Sequence, residues 1–101
     1  MGRNFHLTIQ GRLSRSALPA GITFESLDVQ GNALNLAEVA VLQEELPLFI
    51  DALTKNGLIV SAIHNHWIFT NPNILYVHAQ SVEHPLSFAR KFEDAFKVLK
   101  S

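Results

Sequence analysis

Between Lys55 and Glu83 the chain carries no Asp, Glu, Lys or Arg, and three of its five histidines, His64, His66 and His78, lie in that stretch. An uncharged run of this length first raises the question of a membrane span, which needs about 20 predominantly apolar residues. Ser61, His64, Asn65, His66, Thr70, Asn71, Pro72, Asn73, His78 and Gln80 interrupt it too often for that. The run reads instead as two strands, Leu58 to Phe69 and Ile74 to Gln80, flanking Thr70-Asn71-Pro72-Asn73, whose asparagines and proline suit a hairpin turn.

With 101 residues the chain is long enough for one compact domain, spanning 1–101, and too short for a second catalytic one. The absence of cysteine excludes a disulfide framework, a thiolate zinc site, a cysteine nucleophile and a thiolate-held iron–sulfur cluster. A net charge of -1 offers no basic field, so neither nucleic acid nor a membrane surface is an expected partner. Charged residues make up only 17%, which suggests that part of the surface is covered by a partner such as a second copy of the chain. The opening MGRNFHLTIQGRLSR lacks the apolar core of roughly 7–15 residues that a secretory signal needs, and the expectation is a soluble cytoplasmic protein.

Spacing predicts two helices. Pro85 suits a first helical position, and Leu86, Phe88, Ala89, Phe92, Ala95, Phe96 and Leu99 form an apolar stripe opposite Arg90, Lys91, Glu93, Asp94, Lys97 and Lys100. An earlier helix is expected to begin near Gln43 or Glu44, run through Leu46, Phe49, Ile50 and Leu53, and stop at Gly57. Phe5 to Gln10, Ile22 to Val29 and Ala33 to Leu42 read as strands, the last two joined by a tight turn at Gln30-Gly31-Asn32, and Gly11 to Gly21 reads as a loop. The order is strand, strand, strand, helix, hairpin, helix. It predicts an α+β fold, an antiparallel sheet with two helices on one face. This is a ferredoxin-like split βαβ variant in which an earlier strand takes the place of the missing last one.

Alternation assigns the hairpin residues to faces. Ile59, Ser61, Ile63, Asn65, Trp67 and Phe69 form the more apolar side and are expected beneath the helices, with Trp67 and the phenylalanines in the core. Val60, Ala62, His64, His66 and Ile68 point the other way, together with Ile74, Tyr76, His78 and Gln80. A loop of Asn71, Pro72 and Asn73 puts Thr70 opposite Ile74 and His66 opposite His78, with Cβ atoms about 4.5–5.5 Å apart. His64, His66 and His78 then form a facial set of nitrogen donors that zinc and similar divalent metals accept, leaving positions for water or a small-molecule ligand. Glu38, the only carboxylate in the strand leading to the first helix, is the candidate fourth ligand, with Glu25 behind it. Two phases of that strand are open: Leu34, Leu36, Glu38 and Ala40 share one side, Ala33, Asn35, Ala37, Val39 and Val41 the other. His6 carries no such pattern, and His84 reads as a helix-start residue.

The same histidines also suit a non-catalytic homodimer interface beside Tyr76 and Ile68, one that weakens on acidification as protonated imidazoles repel. A third use is a metal-dependent hydrolase whose open position activates water, although no separate general acid or substrate constellation accompanies it. His64-Asn65-His66 spells HNH, but the nuclease of that name spreads its residues over a hairpin and a following helix. Cupin sites begin with His-x-His yet want a glutamate where Ile68, Phe69 and Thr70 stand. No phosphate loop, nucleophile elbow or HExxH occurs.

Several segments fall in an order and spacing already seen in a family. They are Ala37-Glu38-Val39-Ala40-Val41-Leu42, Glu44-Glu45, Ala52-Leu53, Asn56-Gly57-Leu58, Ala62-Ile63-His64-Asn65-His66 and Leu75-Tyr76-Val77-His78. From Ile22 to Leu99 the pattern resembles the LppY/LpqO-type domain of unknown function, and the spacing from the paired histidines to His78 is its most specific part. Leu36-Ala37 stands where that family tends to have a glycine before the acid. The resemblance implies a shared histidine constellation and, because such domains often occur in tandem, a single copy that pairs with another chain. It implies no established reaction.

Overall fold

The computed structural model describes residues 3–99. Its main sheet has four strands, in the order β3 (Gly21–Glu25), β4 (Ala33–Leu42), β7 (Ile74–Glu83) and β5 (Ile59–His64), with every neighbouring pair antiparallel. A small sheet combines β1 (Leu7–Ile9) and β2 (Arg12–Ser14) with β6 (Thr70–Asn71), in the order β2-β1-β6. Helix α1 (Leu46–Lys55) links β4 to β5, which lie on either side of β7, and α2 (Pro85–Phe96) follows β7. The fold is α+β, and no described helix is long and apolar enough to cross a membrane.

Both helices pack on one face of the main sheet. Ala37, Val39 and Val41 of β4 and Val77 and Ala79 of β7 meet Phe49 and Leu53 of α1 and Phe88, Phe92 and Ala95 of α2. Phe49 and Phe92 meet edge to face at 6.2 Å. Asn35, buried in this row, has its amide satisfied by the carbonyl oxygens of Ala33 and Glu83 at 3.1 and 2.9 Å. Helix α2 starts as its sequence implies: Pro85 occupies the first turn and the His84 ring nitrogen accepts from the Leu86 amide at 3.1 Å. Helix α1 starts later than the glutamates suggest, because Gln43–Glu45 form a separate 3-10 turn. There Glu45 is buried and serves two donors, the Leu42 amide at 2.9 Å and the Arg3 guanidinium at 2.7 Å. Gly57, at a φ of 77°, ends α1 in the left-handed region where a side chain would be strained.

On the opposite face a second, smaller core forms. Ala40, Ile74 and Tyr76 are buried against Leu7 and Leu18, so the small sheet and the segment after it roof one end of the face expected to be open. The first expected strand therefore builds a separate sheet, and the Gly11 to Gly21 loop contains β2. Strand β3 ends at Glu25, short of Val29, because Ser26 takes a φ of 56° and Asp28 folds the chain back by accepting from the amides of Gln30 and Asn32.

The largest departure lies in the hairpin. Strand β5 stops at His64; Asn65 to Phe69 leave the sheet, and Thr70 and Asn71 pair with Ile9 and Thr8 of β1. Within β5, Val60 pairs with Ala79 and Ala62 with His78, so Ser61 is an extra residue in a bulge. The bulge lets Val60 join the helix-side core while Ala62 and His64, opposite His78 and Tyr76, face the other way. Ile59, Ile63, Trp67 and Phe69, expected beneath the helices, are all exposed. His66 has no strand partner, so the expected His66–His78 pairing does not form.

Candidate functional site

The β4–β7 register fixes the base of the site. Glu38 lies directly opposite His78, and Ala62 flanks His78 from the other side. Residues opposite one another share a face, so Glu38 belongs to the phase with Leu34, Leu36 and Ala40, away from the helices. His64 sits two pairs along, opposite Tyr76 and on the same face. His66 arrives by a different route, from the segment that crosses between the two sheets, which Gln10 secures by donating its amide to the Phe69 carbonyl at 2.9 Å.

These segments bring His64, His66 and His78 together, with one nitrogen from each ring within 4.8 Å of the others. The His64 and His78 rings stack at 4.8 Å, and His64 meets His66 edge to face at 4.6 Å. His66 also stands edge-on to the Tyr76 ring at 4.4 Å. Glu38 Oε1 is 3.1 Å from His66 Nε2 and 3.7 Å from His78 Nε2. The first distance is a hydrogen bond; the second is beyond one. His78 Nε2 is therefore buried with no hydrogen-bond partner among the described residues. A desolvated, unpaired ring nitrogen is costly, and such atoms in native folds call for an explanation.

The other candidates lie elsewhere. On β3, Gly21 is opposite Glu38 while Glu25 is opposite Leu34, four residues further along and hence about 13 Å away. His84 caps α2, and the exposed His6 lines a separate cavity with Arg15 and Leu13.

A cavity of about 440 Å³ opens beside the cluster, sharing Glu38 and His66 with it. Its remaining walls come from Tyr76, Trp67 and the N-terminal segment, including Ile9, Ser16 and Pro19. The Tyr76 hydroxyl donates to the Ala17 carbonyl at 2.7 Å, tying that segment to the sheet. Burial pushes the Tyr76 hydroxyl above its ordinary pKa, a hydrogen bond with Trp67 works against the rise, and the Glu38 carboxylate adds to it. Tyr76 thus stays a neutral donor across the physiological range. Trp67 is half exposed at the cavity rather than in the core.

Tyr76 was legible from its alternation with His78. Trp67 and the N-terminal wall were not, since nothing in their spacing says that the chain leaves β5 after His64 or that β1 crosses the sheet.

No curated protein and no solved structure is significantly similar to this chain. Over residues 1–98 it matches the family DUF1529, described as a Domain of Unknown Function (DUF1259), and it belongs to that family.

Proposed function

We propose that the protein is a metal-binding module in which His64, His66 and His78 hold a divalent cation such as zinc, with Glu38 as fourth ligand or as the hydrogen-bond partner that orients the histidines. The observation that carries this reading is the buried, unpaired Nε2 of His78, beside Glu38 and within reach of the other two imidazoles. Zinc–nitrogen bonds of about 2.0–2.1 Å require the three donors to draw together by roughly an ångström. His66 lies on a segment outside the sheet, so no strand pairing of its own backbone opposes that movement. Three neutral imidazoles and one carboxylate match the donor set of borderline divalent metals, and an open position would face the cavity. The likeness to the LppY/LpqO-type domain supports the same residues, since its most specific part contains all three histidines.

Metal analysis of untagged protein, before and after chelation, tests this. The expected result is about one zinc per chain, lost in His66→Ala and His78→Ala. Wild-type protein that retains no metal after zinc loading and buffer exchange overturns it.

A second copy of the chain is proposed to cover the rest of this sheet face. Leu36, Ile59 and Val82 lie on it, exposed by 39, 58 and 74%, beyond the end of the small sheet. The accessible surface of 6306 Å² exceeds the about 5,700 Å² of an average folded monomer of this mass. Sedimentation is expected to give a dimer that Val82→Lys converts to a monomer; a wild-type monomer throughout the micromolar range refutes the pairing.

A further inference from the structure

The cavity beside the histidines has a chemistry of its own, and it narrows what the site would take. Trp67, the only tryptophan in the chain, is 50% exposed there, its ring 6.1 Å from that of His66. Ile9 and Pro19 add apolar surface, and the cavity's about 440 Å³ falls within the usual range for a small-molecule site. Among the described residues no lysine or arginine lines it, and the one formal charge they bring is Glu38. An acidic ligand would meet only repulsion in the metal-free protein. With a dication held by neutral imidazoles and one carboxylate, a single positive charge is left over, at the point where Glu38 and His66 border the cavity. That charge balances a monoanion, and an oxygen donor is the natural occupant of an open position on zinc.

From these features we infer that the site binds a small aromatic monocarboxylate, its carboxylate on the metal and its ring against Trp67. The inference rests on the metal-binding reading above. The Tyr76 and Trp67 rings flanking His66 supply flat apolar surface on which an aromatic ring gains more than an aliphatic chain of equal size. Ser14 and Ser16 add uncharged hydrogen-bonding groups to the wall, which suits a ring bearing a polar substituent.

Calorimetric titration of zinc-loaded protein with benzoate and with acetate tests this, with Trp67 fluorescence as a second readout. Benzoate is expected to bind roughly ten-fold more tightly than acetate, the advantage that ring burial and aromatic contact supply. Metal-free protein is expected to bind neither. Trp67→Leu, at a half-exposed position outside both buried cores, is expected to reduce the preference to about two-fold while zinc content and acetate affinity hold. Equal affinities for benzoate and acetate overturn the inference, as do undiminished benzoate binding by metal-free protein and a preference that survives in Trp67→Leu. If zinc itself is not retained, the metal reading falls and this inference with it; if zinc is retained and the preference is missing, only this inference falls.

Discussion

On one face of the main sheet, α1 and α2 bury Val39, Val41, Val77 and Ala79 beneath Phe49, Phe88 and Phe92. On the other, the small sheet covers Ala40, Ile74 and Tyr76 but stops short of Leu36 and Val82, and a histidine nitrogen lies unpaired between. The helix face is packed like an interior, with the buried amide of Asn35 hydrogen-bonded. The opposite face spends its apolar surface on a roof over one end and leaves polar groups converging beside a cavity. Where packing is complete a residue serves stability; where it is incomplete and the polar atoms converge, the arrangement serves a ligand.

Substitutions on the two faces should therefore differ in kind. The largest effect belongs to the helix face: Phe92→Ala is expected to cost about 3–5 kcal/mol in urea denaturation, since it empties a fully buried site. Zinc stoichiometry should be unchanged wherever that variant is folded, and a parallel loss of metal would break the division between the faces. The next effect has the opposite character. Zinc at a hundred times its dissociation constant should stabilise wild-type protein by about 2.7 kcal/mol, a gain that His78→Ala should lack. Without metal, His78→Ala should change stability by less than about 1 kcal/mol or raise it, because it removes an unsatisfied buried nitrogen. A large loss in the metal-free variant would show that His78 is a packing residue.

The smallest effect lies at the rim of the helix face. Burial alone would raise the Glu83 carboxyl, but hydrogen bonds from Lys91 and Ser81 and the Lys91 charge hold it below the ordinary range. A carboxyl depressed in the folded state contributes stability above its unfolded pKa and loses it as pH falls through the folded value. Lys91→Met should cost about 0.5 kcal/mol at neutral pH and flatten this part of the acid limb. An unaltered acid limb would show that Ser81 suffices to hold Glu83.

The same contrast governs what could be read from the sequence. The helix face was legible because each contribution is periodic: Phe88, Phe92 and Ala95 recur at helical spacing, and Val39, Val41, Val77 and Ala79 at strand spacing. The convergence of the three histidines was legible in outcome and not in route. His78 and His64 fell on the expected face, whereas His66 reaches them from outside the sheet, held by ring contacts with Tyr76 and by Glu38. Glu38 could not be assigned a side from β4 alone, because both phases are mostly apolar, leucines in its own and valines in the other, with alanine in each. Its position opposite His78 decides the question. The roof was illegible for a different reason. Strands of three and two residues have too little alternation to announce themselves, and they pair across more than sixty positions of sequence, Thr8 with Asn71.

Ser61 is an extra residue in β5, and without it a single alternation would run through the whole strand. On the near side of it the even-numbered Val60 turns to the helices; beyond it the even-numbered Ala62 and His64 turn away. Parity on the two sides can therefore vary independently, one side tuned for packing and the other for chemistry, with a single serine as the joint. Removal of Ser61 would leave Val60 opposite Ala79 and His64 opposite Tyr76 in an unbroken alternation, so this one serine is what lets two residues of equal parity serve opposite faces.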